Sequence, residues 1–294
     1  MDTKIIVITG ATASGKTKLS INLAKKINAE IICADSRIVY KNLDIVSAKP
    51  TLVEQDGIAH HLIDILEPTI EFSAGDFVTL AKEKINEIQS KQKNVIICGG
   101  TWFYIKSLLD EKALPDCPIN RELREELSFL DNETLWQKLN KLDSKRASLI
   151  HPNNKDKIIR SIEMCLSLGE PISSYQRKEN KKIDAHWFMP SWDREVLYDR
   201  INIRVDEMVK MGLYEEWQQN KELYPDSKIM LNTIGYSEFY DLKKDVYKTF
   251  DEAVDKIKQH TRNFAKRQLT YFRSNNKIQL INNEQNILKA LNLY

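Results

Sequence analysis

The sequence predicts an α/β fold in which helices flank a parallel sheet, with a mainly helical insertion in the middle of the chain. Three observations support this prediction. Residues 4–9, 29–34 and 94–98 are short runs that are apolar at nearly every position, as strands covered on two faces must be. Residues 18–25 and 75–92 have helical character and lie between those strands, which is the order of βαβ units. Beyond residue 114 the chain becomes polar, charge-rich and helical.

The remaining elements suggest how the chain divides into domains. Helical segments are predicted over residues 120–148 and 154–169, followed by a strand over 186–190. Two long helices are then predicted over 193–221 and 250–274, the first interrupted or closely packed at Gly212. We therefore assign residues 1–114 and 193–294 to a catalytic core and residues 115–192 to a helical insertion.

Composition narrows the class of protein. With 294 residues and 42% apolar side chains the chain can bury a core, and no apolar run is long enough to span a bilayer. The first 30 residues lack the basic, apolar and cleavage regions of a signal peptide, so we expect a cytoplasmic protein. The four cysteines show neither a disulfide framework nor zinc-ligand spacing. A net charge of only +2 means that any nucleic-acid site must be a local basic patch.

A phosphate-binding motif follows the first predicted strand. It matches G-x-x-x-x-G-K-[ST], the P-loop, and consists of Gly10, Ala11, Thr12, Ala13, Ser14, Gly15, Lys16 and Thr17. Backbone N–H groups of such a loop and the start of the following helix bind an anion, here a diphosphate or a larger group. Lys16 adds a positive charge, and the Thr17 hydroxyl is placed to reach Mg²⁺. The fold core is therefore a P-loop sheet, although kinases, NTPases and some transferases share this motif.

Two further residues lie at the carboxyl ends of predicted strands. Asp35 follows the second strand, so its carboxylate should point into the crevice beside the cradle and accept a proton. On position alone, a role as a helix cap or a partner of bound Mg²⁺ stays open. Thr101 follows Gly99 and Gly100 at the end of the third strand, where its hydroxyl can donate to a leaving oxygen or simply complete a turn. The absence of a carboxylate at that strand end weakens an ATPase interpretation.

These motifs together resemble the tRNA dimethylallyltransferases, also called tRNA isopentenyltransferases, over nearly the whole chain. Besides the cradle, the resemblance rests on Asp35-Ser36-Arg37-Ile38-Val39-Tyr40, Asp44-Ile45, Ala48-Lys49-Pro50, His60-His61-Leu62-Ile63-Asp64-Ile65, Phe72-Ser73-Ala74-Gly75-Asp76-Phe77, Gly99-Gly100-Thr101 with Tyr104, His151-Pro152-Asn153 with Arg160 and Glu163, Ile234-Gly235-Tyr236, and Thr261-Arg262 with Ala265-Lys266-Arg267-Gln268. The chain departs from the common pattern at two places. Asn42-Leu43-Asp44-Ile45-Val46-Ser47 stands where the family more often has G-M-D-I-G-T, so Val46 replaces a glycine and Ser47 keeps only the hydroxyl, and Asn232 stands where some bacterial relatives have arginine.

The resemblance implies a substrate pair and roles for the residues. The cradle would hold the diphosphate of dimethylallyl diphosphate, Asp35 would receive the proton of the adenine amine, and Thr101 and Lys16 would support the departing diphosphate. The acceptor would be the adenosine immediately 3′ of the anticodon, in tRNAs reading codons that begin with U. By the same match, the anticodon stem-loop would be contacted by Asp35, Ser36, Arg37, Ile38, Thr101, Arg124, Asp156, Lys157, Ile158, Ile159 and Arg160.

A basic helix face offers a further contact with RNA. Lys258, Arg262 and Lys266 recur four residues apart and share one side of the helix predicted over residues 250–274. We predict that Arg262 and Lys266 bind tRNA phosphates, although such a stripe is often only a solvated surface. The target base must leave the loop stack to reach a crevice, which is least demanding in a single-stranded loop.

Three rival hypotheses remain at this point. An adenylate isopentenyltransferase would share the fold and donor but modify free adenine nucleotides, and the insertion of about 80 residues argues for a larger acceptor. A small-molecule kinase would use the cradle for ATP, and a non-catalytic RNA-binding protein would bind RNA without regard to an allylic diphosphate. We expect a monomer with Mg²⁺ as its cofactor, dimethylallyl diphosphate and tRNA as its partners, and no association with a membrane.

Overall fold

The computed structural model describes residues 3–110 and 112–293. The chain forms two compact units, one made of Met1–Leu109 and Ile183–Tyr294 and the other of Asp110–Lys182. The predicted insertion, residues 115–192, included residues 183–192, but these belong to the first unit. The reason is strand pairing, because Trp187 and Phe188 pair with Val7 and Ile8.

The described residues form one sheet of six strands. The strands are β1 (Ile5–Thr9), β2 (Ala29–Cys33), β3 (His60–His61), β4 (Asn94–Gly99), β5 (His186–Pro190) and β6 (Ile278–Ile281). Their order is β3-β2-β4-β1-β5-β6, and every neighbouring pair is parallel. The predicted parallel sheet is therefore confirmed, while β3 and β6 are additional strands.

The central strands owe their position to their composition. All five residues of β1 and of β2 are buried, as expected for β-branched runs covered by helices on both faces. Since β4 lies between β2 and β1, the carboxyl ends of these three strands meet at one edge of the sheet. This is the edge at which open α/β sheets bind ligands.

Helices cover the sheet and build the second unit. Along the described chain they are α1 (Lys16–Ile27), α2 (Asp44–Ser47), α3 (Leu52–Gln55), α4 (Ala74–Ser90), α5 (Trp102–Leu109), α6 (Arg121–Ser128), α7 (Asn132–Leu142), α8 (Ser144–Ala147), α9 (Lys155–Leu168), α10 (Arg194–Lys210), α11 (Leu213–Leu223), α12 (Lys228–Leu231), α13 (Ser237–Lys243), α14 (Phe250–Arg273) and α15 (Glu284–Ala290). None of the helices in the described ranges has the length and apolar character needed to span a bilayer.

Local chemistry explains where several helices begin and end. Ser73 and Asp76 form a capping box at the start of α4, so side chains satisfy backbone N–H groups that lack helical partners. Thr249 caps α14 by accepting the backbone N–H of Glu252. Gly212 has a φ of 99° and separates α10 from α11, which confirms the predicted interruption of the long helix.

The second unit is mainly helical, as predicted. Its helices α6 to α9 enclose an apolar core of their own that includes Leu127, Leu135, Leu139, Ile158 and Ile162. A separate core of this kind is what allows a domain to be inserted between elements of another.

Candidate active site

The predicted phosphate cradle forms the turn between β1 and α1. Gly10, Ala13 and Gly15 have φ angles of 141°, 60° and 85°, which winds the backbone into a concave loop. A side chain at residue 10 is excluded by this backbone, and its Cβ would lie only 3.1 Å from Met189 Cγ. The first turn of α1 presents its unpaired N–H groups to the same loop.

Lys16 lies inside the cradle. Its ammonium donates to the Ala11 carbonyl at 2.7 Å. Burial lowers the pKa of Lys16 to about 8; Arg204 acts in the same direction, whereas Cys98 and Asp35 oppose the shift. A bound diphosphate would stabilise the Lys16 ammonium by supplying further counter-charge.

Two side chains hold the outer carbonyls of the cradle. Trp192 Nε1 donates to the Ser14 carbonyl at 2.9 Å, and Arg200 Nε donates to the Ala13 carbonyl at 2.9 Å. The Arg200 guanidinium also stacks over the Trp192 ring, 4.4 Å from its centroid. Because these carbonyls are bonded on the outside of the loop, they are kept from turning towards an anion.

Gln268 of α14 connects the cradle to the end of β4. Its Oε1 accepts the backbone N–H of Thr12 at 2.9 Å, and its Nε2 donates to the Gly100 carbonyl at 2.9 Å. A Cβ on Gly100 would lie 2.3 Å from that Nε2, so a larger residue there would displace the Gln268 amide. The Thr12 N–H is therefore bonded to Gln268 within the protein. If Thr12 binds the diphosphate as the motif predicts, it does so through a group other than this N–H.

Asp35 follows β2 and lines the same cleft as Lys16 and Thr17. Its Oδ1 accepts the backbone N–H of Arg37 at 2.8 Å, which fixes the orientation of the carboxylate. No hydrogen bond from the described residues reaches Oδ2. The predicted proton acceptor therefore lines the same cleft as the cradle, with one oxygen that no described residue binds.

Thr101 lies next to Asp35 in space because two strand ends are in close contact. A Cβ on Gly99 would lie 2.0 Å from the Ala34 carbonyl oxygen, so glycine is required for this approach. Thr101 N donates to the same carbonyl at 3.2 Å. The Thr101 hydroxyl oxygen accepts the backbone N–H of Ser36 at 3.1 Å, which leaves the hydroxyl proton available for donation to another group.

The strand ends and the cradle enclose a cleft of about 670 Å³, its open mouth included. It is lined by Thr12, Lys16, Thr17, Ser20, Ile31, Cys33, Asp35, Ile38, Ser47, Ala48, Pro50, His60, Cys98, Gly99, Gly100, Arg204, Phe264 and Gln268. Charged and hydroxyl groups from the cradle share this cleft with apolar side chains such as Ile31, Ile38 and Pro50. Such a lining suits a ligand with an anionic head and a short hydrocarbon tail.

Arg204 of α10 is a cleft residue that the sequence did not indicate. Burial lowers the pKa of Arg204, while the nearby Asp35 opposes that shift. With Lys16 it places two cations in the cleft. Arg200 and Arg204 are four residues apart on one helix face, but surface arginines share this spacing, so no local signal identified Arg204.

Two cysteines also line the cleft. Cys33 and Cys98 are paired across β2 and β4, and burial raises the pKa of both thiols. All four cysteines are free and buried, as the absence of a disulfide pattern suggested. Neutral thiols of this kind pack as small apolar side chains.

The segment after Asp35 is anchored to another part of the first unit. Arg37 donates from Nη1 to the Ser36 carbonyl at 3.1 Å and from Nη2 to the Asn232 carbonyl at 3.1 Å. Ile38 is buried and lines the cleft. Asn232, one of the two departures from the family pattern, therefore holds Arg37 through its backbone.

In the second unit, two predicted tRNA contacts converge on one buried acid. Arg124 Nη2 and Arg160 Nη1 lie 2.9 Å and 2.5 Å from Glu163 Oε2, and the backbone N–H of Asn120 donates to Glu163 Oε1 at 2.6 Å. Arg160 also donates to the Cys117 carbonyl. Burial alone would raise the pKa of Glu163, but hydrogen bonds from Arg124 and Arg160 outweigh it and lower the pKa.

The four residues before Arg160 divide by exposure. Asp156 and Lys157 are exposed, whereas Ile158 and Ile159 are buried in the core of the second unit. The prediction that both isoleucines contact tRNA is corrected for their side chains, because helical periodicity turns these two positions inward.

The predicted basic face of α14 is partly engaged in contacts with α10. Lys258 pairs with Asp206 at 2.6 Å, and Arg262 Nη1 donates to Asn202 Oδ1 at 2.5 Å. Lys266 is exposed. Of this stripe, Lys266 is presented to solvent most directly, while Arg262 is half-buried.

Comparison with known proteins shows a consistent similarity. The model of the family described as IPP transferase matches residues 38–275. The tRNA dimethylallyltransferase of Acetivibrio thermocellus is 41% identical over 99% of this chain and 96% of its own length. That of Halalkalibacterium halodurans is 40% identical over 93% of this chain and 89% of its own.

Solved structures agree with the sequence comparisons. The tRNA delta(2)-isopentenylpyrophosphate transferase of Staphylococcus epidermidis is similar with a TM-score of 0.71 and 38% identity, covering 99% of each chain. A eukaryotic dimethylallyltransferase, described as acting on tRNA, has a TM-score of 0.81 and 27% identity over 97% of this chain and 75% of its own.

Proposed function

As the chain belongs to the tRNA dimethylallyltransferases, the family of IPP transferases, we propose that it prenylates the adenosine immediately 3′ of the anticodon. The donor is dimethylallyl diphosphate, the acceptors are tRNAs reading codons that begin with U, and diphosphate is released. The observation that supports this proposal is the placement of Asp35 in the same cleft as Lys16 and Thr17. An anion cradle and a proton acceptor then serve one reaction centre.

The reaction joins nitrogen to carbon. The lone pair of the adenine exocyclic amine attacks the allylic CH₂ carbon that bears the diphosphate, and the bond from this carbon to oxygen breaks with its electron pair leaving on the diphosphate. The nitrogen becomes cationic and acidic during this step, so the Asp35 carboxylate can accept its proton although it is a weak base toward a neutral amine. The bond from Arg37 N engages Asp35 Oδ1, which leaves the second oxygen of this cleft residue to accept the proton.

The departing diphosphate gains negative charge on its bridging oxygen. Lys16 and Arg204 supply positive charge from within the cleft, where burial strengthens their interaction with an anion. The Thr101 hydroxyl has its oxygen bonded to Ser36 N and can donate its proton to the leaving group. These groups stabilise the transition state more than the bound donor, which is what accelerates the step.

The side chains in the cleft fit a Mg²⁺ ion that is bound together with the donor. No group of three or more His, Cys, Asp or Glu residues suited to a metal occurs in the described ranges, so the protein alone offers no complete site. The Thr17 hydroxyl lines the cleft and would hold the ion beside the donor, while the Asp35 carboxylate stays available as the proton acceptor. When bound, Mg²⁺ neutralises diphosphate charge.

The tRNA is held by phosphate contacts outside the reaction centre. Arg124, Lys157 and Arg160 in the second unit and Lys266 in the first provide positive side chains for an anticodon stem-loop. The adenosine must be unstacked to reach Asp35. We place the reaction in the cytoplasm and assign it to a monomer.

A mass measurement tests the proposal. Purified protein is incubated with Mg²⁺, dimethylallyl diphosphate and an anticodon stem-loop, and the RNA is weighed. One added prenyl unit is expected; the matched control is a stem-loop in which purine riboside, which lacks the amine, replaces the target adenosine and which should gain no mass. Transfer to free AMP in place of the stem-loop, or transfer of phosphate from ATP, would reject the proposal.

A further inference from the structure

One wall of the donor cleft is a short segment that is held by contacts with other parts of the first unit. Residues 42–50, here called the wall segment, contain the four-residue helix α2 and contribute Ser47, Ala48 and Pro50 to the cleft. Asn42 and Ala48, on either side of α2, have φ angles of 63° and 49°, which non-glycine residues adopt infrequently. A conformation of this kind persists only where neighbouring structure maintains it.

Glu216 of α11 supports the start of the segment, while Lys49, which pairs with Asp44 and Asp64, supports its end. Its Oε2 accepts the backbone N–H groups of Asp44 and Ile45 at 2.9 Å and 2.6 Å, and its Oε1 accepts the N–H of Val46 at 3.0 Å. These are the N–H groups of the first helical turn, which have no partner within a helix. Leu43, which precedes α2, has no side chain that can cap them.

A buried network fixes the carboxylate from the other side. The Tyr236 hydroxyl donates to Glu216 Oε1 at 2.7 Å, and Asn220 Nδ2 donates both to that hydroxyl oxygen at 2.9 Å and to the Asn42 carbonyl at 2.6 Å. Tyr236 and Asn220 are buried. Burial raises the pKa of Tyr236, and the negative charge of Glu216 acts in the same direction, so the phenol stays a donor.

Val46 adds a packing contact at the same place. A Cβ on Gly235, whose φ is 102°, would lie 2.9 Å from Val46 Cγ2. Residue 235 must therefore be glycine, and the larger residue at position 46 rests directly on its backbone. In this chain the departure at Val46 connects the wall segment to the turn that carries Tyr236.

We propose that Glu216 is a positioning residue for the donor site, acting through the wall segment without touching the donor. The inference rests on the proposed function for the identity of the donor. Three charge-assisted hydrogen bonds to one carboxylate are stronger than neutral ones. Their loss would free Ser47, Ala48 and Pro50 to move, so the donor would bind more weakly while the reacting groups at Lys16 and Asp35 stay in place.

The test compares Glu216→Gln with Glu215→Gln, an exposed neighbour on the same helix that loses the same charge. In this variant an NH₂ group replaces one of the two carboxylate oxygens, so one side of the amide can no longer accept the backbone N–H groups. We expect the KM for dimethylallyl diphosphate to rise about tenfold in Glu216→Gln, with kcat within about threefold and the KM for the stem-loop unchanged. Glu215→Gln should behave as the parent protein.

Hydrogen exchange reports on the wall segment without using activity. In the donor-free protein, the amides of Asp44, Ile45 and Val46 should exchange at least about tenfold faster in Glu216→Gln than in the parent. Glu216→Asp keeps the charge and should restore part of the protection. Should Glu216→Gln fail to fold, Tyr236→Phe removes one bond to the carboxylate and should show a smaller change in the same direction.

The outcomes separate the two proposals. Unchanged exchange at residues 44–46, or an unchanged affinity for dimethylallyl diphosphate by calorimetry, would overturn the role of Glu216 even in an active enzyme. If the parent protein transferred no prenyl group, the proposed function would fail, and the exchange comparison would still decide whether Glu216 holds the wall segment. A fall in kcat alone, with the donor KM unchanged, would also overturn the proposal.

Discussion

Replacing Lys16 by methionine should have opposite effects on the stability of the folded protein and on its activity. The ammonium is destabilised by its surroundings, since burial lowers the pKa of Lys16 from 10.5 to about 8. That interval is equivalent to roughly 3 kcal/mol. Because the side chain keeps some contact with solvent, we expect about 1 to 2 kcal/mol of this to be recovered when an uncharged side chain of similar length takes its place.

The effect has a defined dependence on pH. The pKa of Lys16 in the folded state lies below its unfolded value, so the destabilisation is fully present below pH 8, where both states bind the proton. It disappears as the pH rises from about 8 to 10.5, because the folded state releases the proton first. Lys16→Met should therefore unfold at a higher urea concentration than the parent at pH 7, and the difference should narrow by pH 10.

Activity should change in the opposite direction. Without the ammonium, the diphosphate loses a cation in the cleft, and kcat/KM for dimethylallyl diphosphate should fall at least about 100-fold. Lys18→Met, an exposed lysine on the same helix, serves as the control for removing a positive charge. The reasoning would be refuted if Lys16→Met were no more stable than the parent at pH 7. It would also be refuted if the difference in stability between the two proteins were the same at pH 7 and pH 10.

Three further substitutions test other parts of the site. Asp35→Asn keeps the shape of the side chain but removes the proton acceptor, so single-turnover transfer to the stem-loop should slow at least about 100-fold while calorimetry shows donor binding retained; an unchanged rate would exclude the carboxylate as the base. Gln268→Leu removes two buried hydrogen bonds and should lower the free energy of unfolding in urea by roughly 2 kcal/mol and raise the donor KM, whereas Gln259→Leu, a matched change on the same helix, should do neither. Glu163→Gln should raise the stem-loop KM about fivefold without changing the donor KM. The variant should also be less stable than the parent at pH 7, and this difference should vanish as the pH falls below the lowered pKa of Glu163. Equal stem-loop KM values in the two proteins would show that this acid does not orient the two arginines.

The fold was predictable where a pattern is local. Strands β1, β2 and β4 are apolar on nearly every residue, and the cradle motif fixes the turn into α1. Strand β6 was not predicted because it has no continuous apolar run. It lies at the edge of the sheet, where Gln279 and Leu280 are exposed. Strand β3 has only two residues, too few for any periodicity.

The boundary of the second unit was missed for a related reason. Residues 186–190 form a recognisable strand, but the sequence does not state which strand it pairs with. Pairing with β1 brings the chain back to the first unit before residue 190, and this is a contact between residues far apart in the chain. Sequence patterns predict elements more readily than they predict their partners.

The candidate site divides in the same way. Lys16, Thr17 and Asp35 were predictable because each follows directly from a motif or a strand end. Arg204 was not, because nothing in its local pattern distinguishes a cleft arginine from a surface one. The buried Ile158 and Ile159 show the converse, since a segment can match a family's RNA-contacting region while half of its side chains build the core.

The distant helices explain why the cradle cannot be considered alone. Thr12 is bonded to Gln268, and the Ala13 carbonyl is bonded to Arg200, although these partners lie far along the chain. Gln268 also donates to the Gly100 carbonyl, so one side chain connects the anion cradle to the strand end that carries Thr101, in addition to the pairing of β1 with β4. A P-loop motif without α10 and α14 would keep its sequence but lose the spacing between the diphosphate and the acceptor, and this spacing is what the proposed transfer requires.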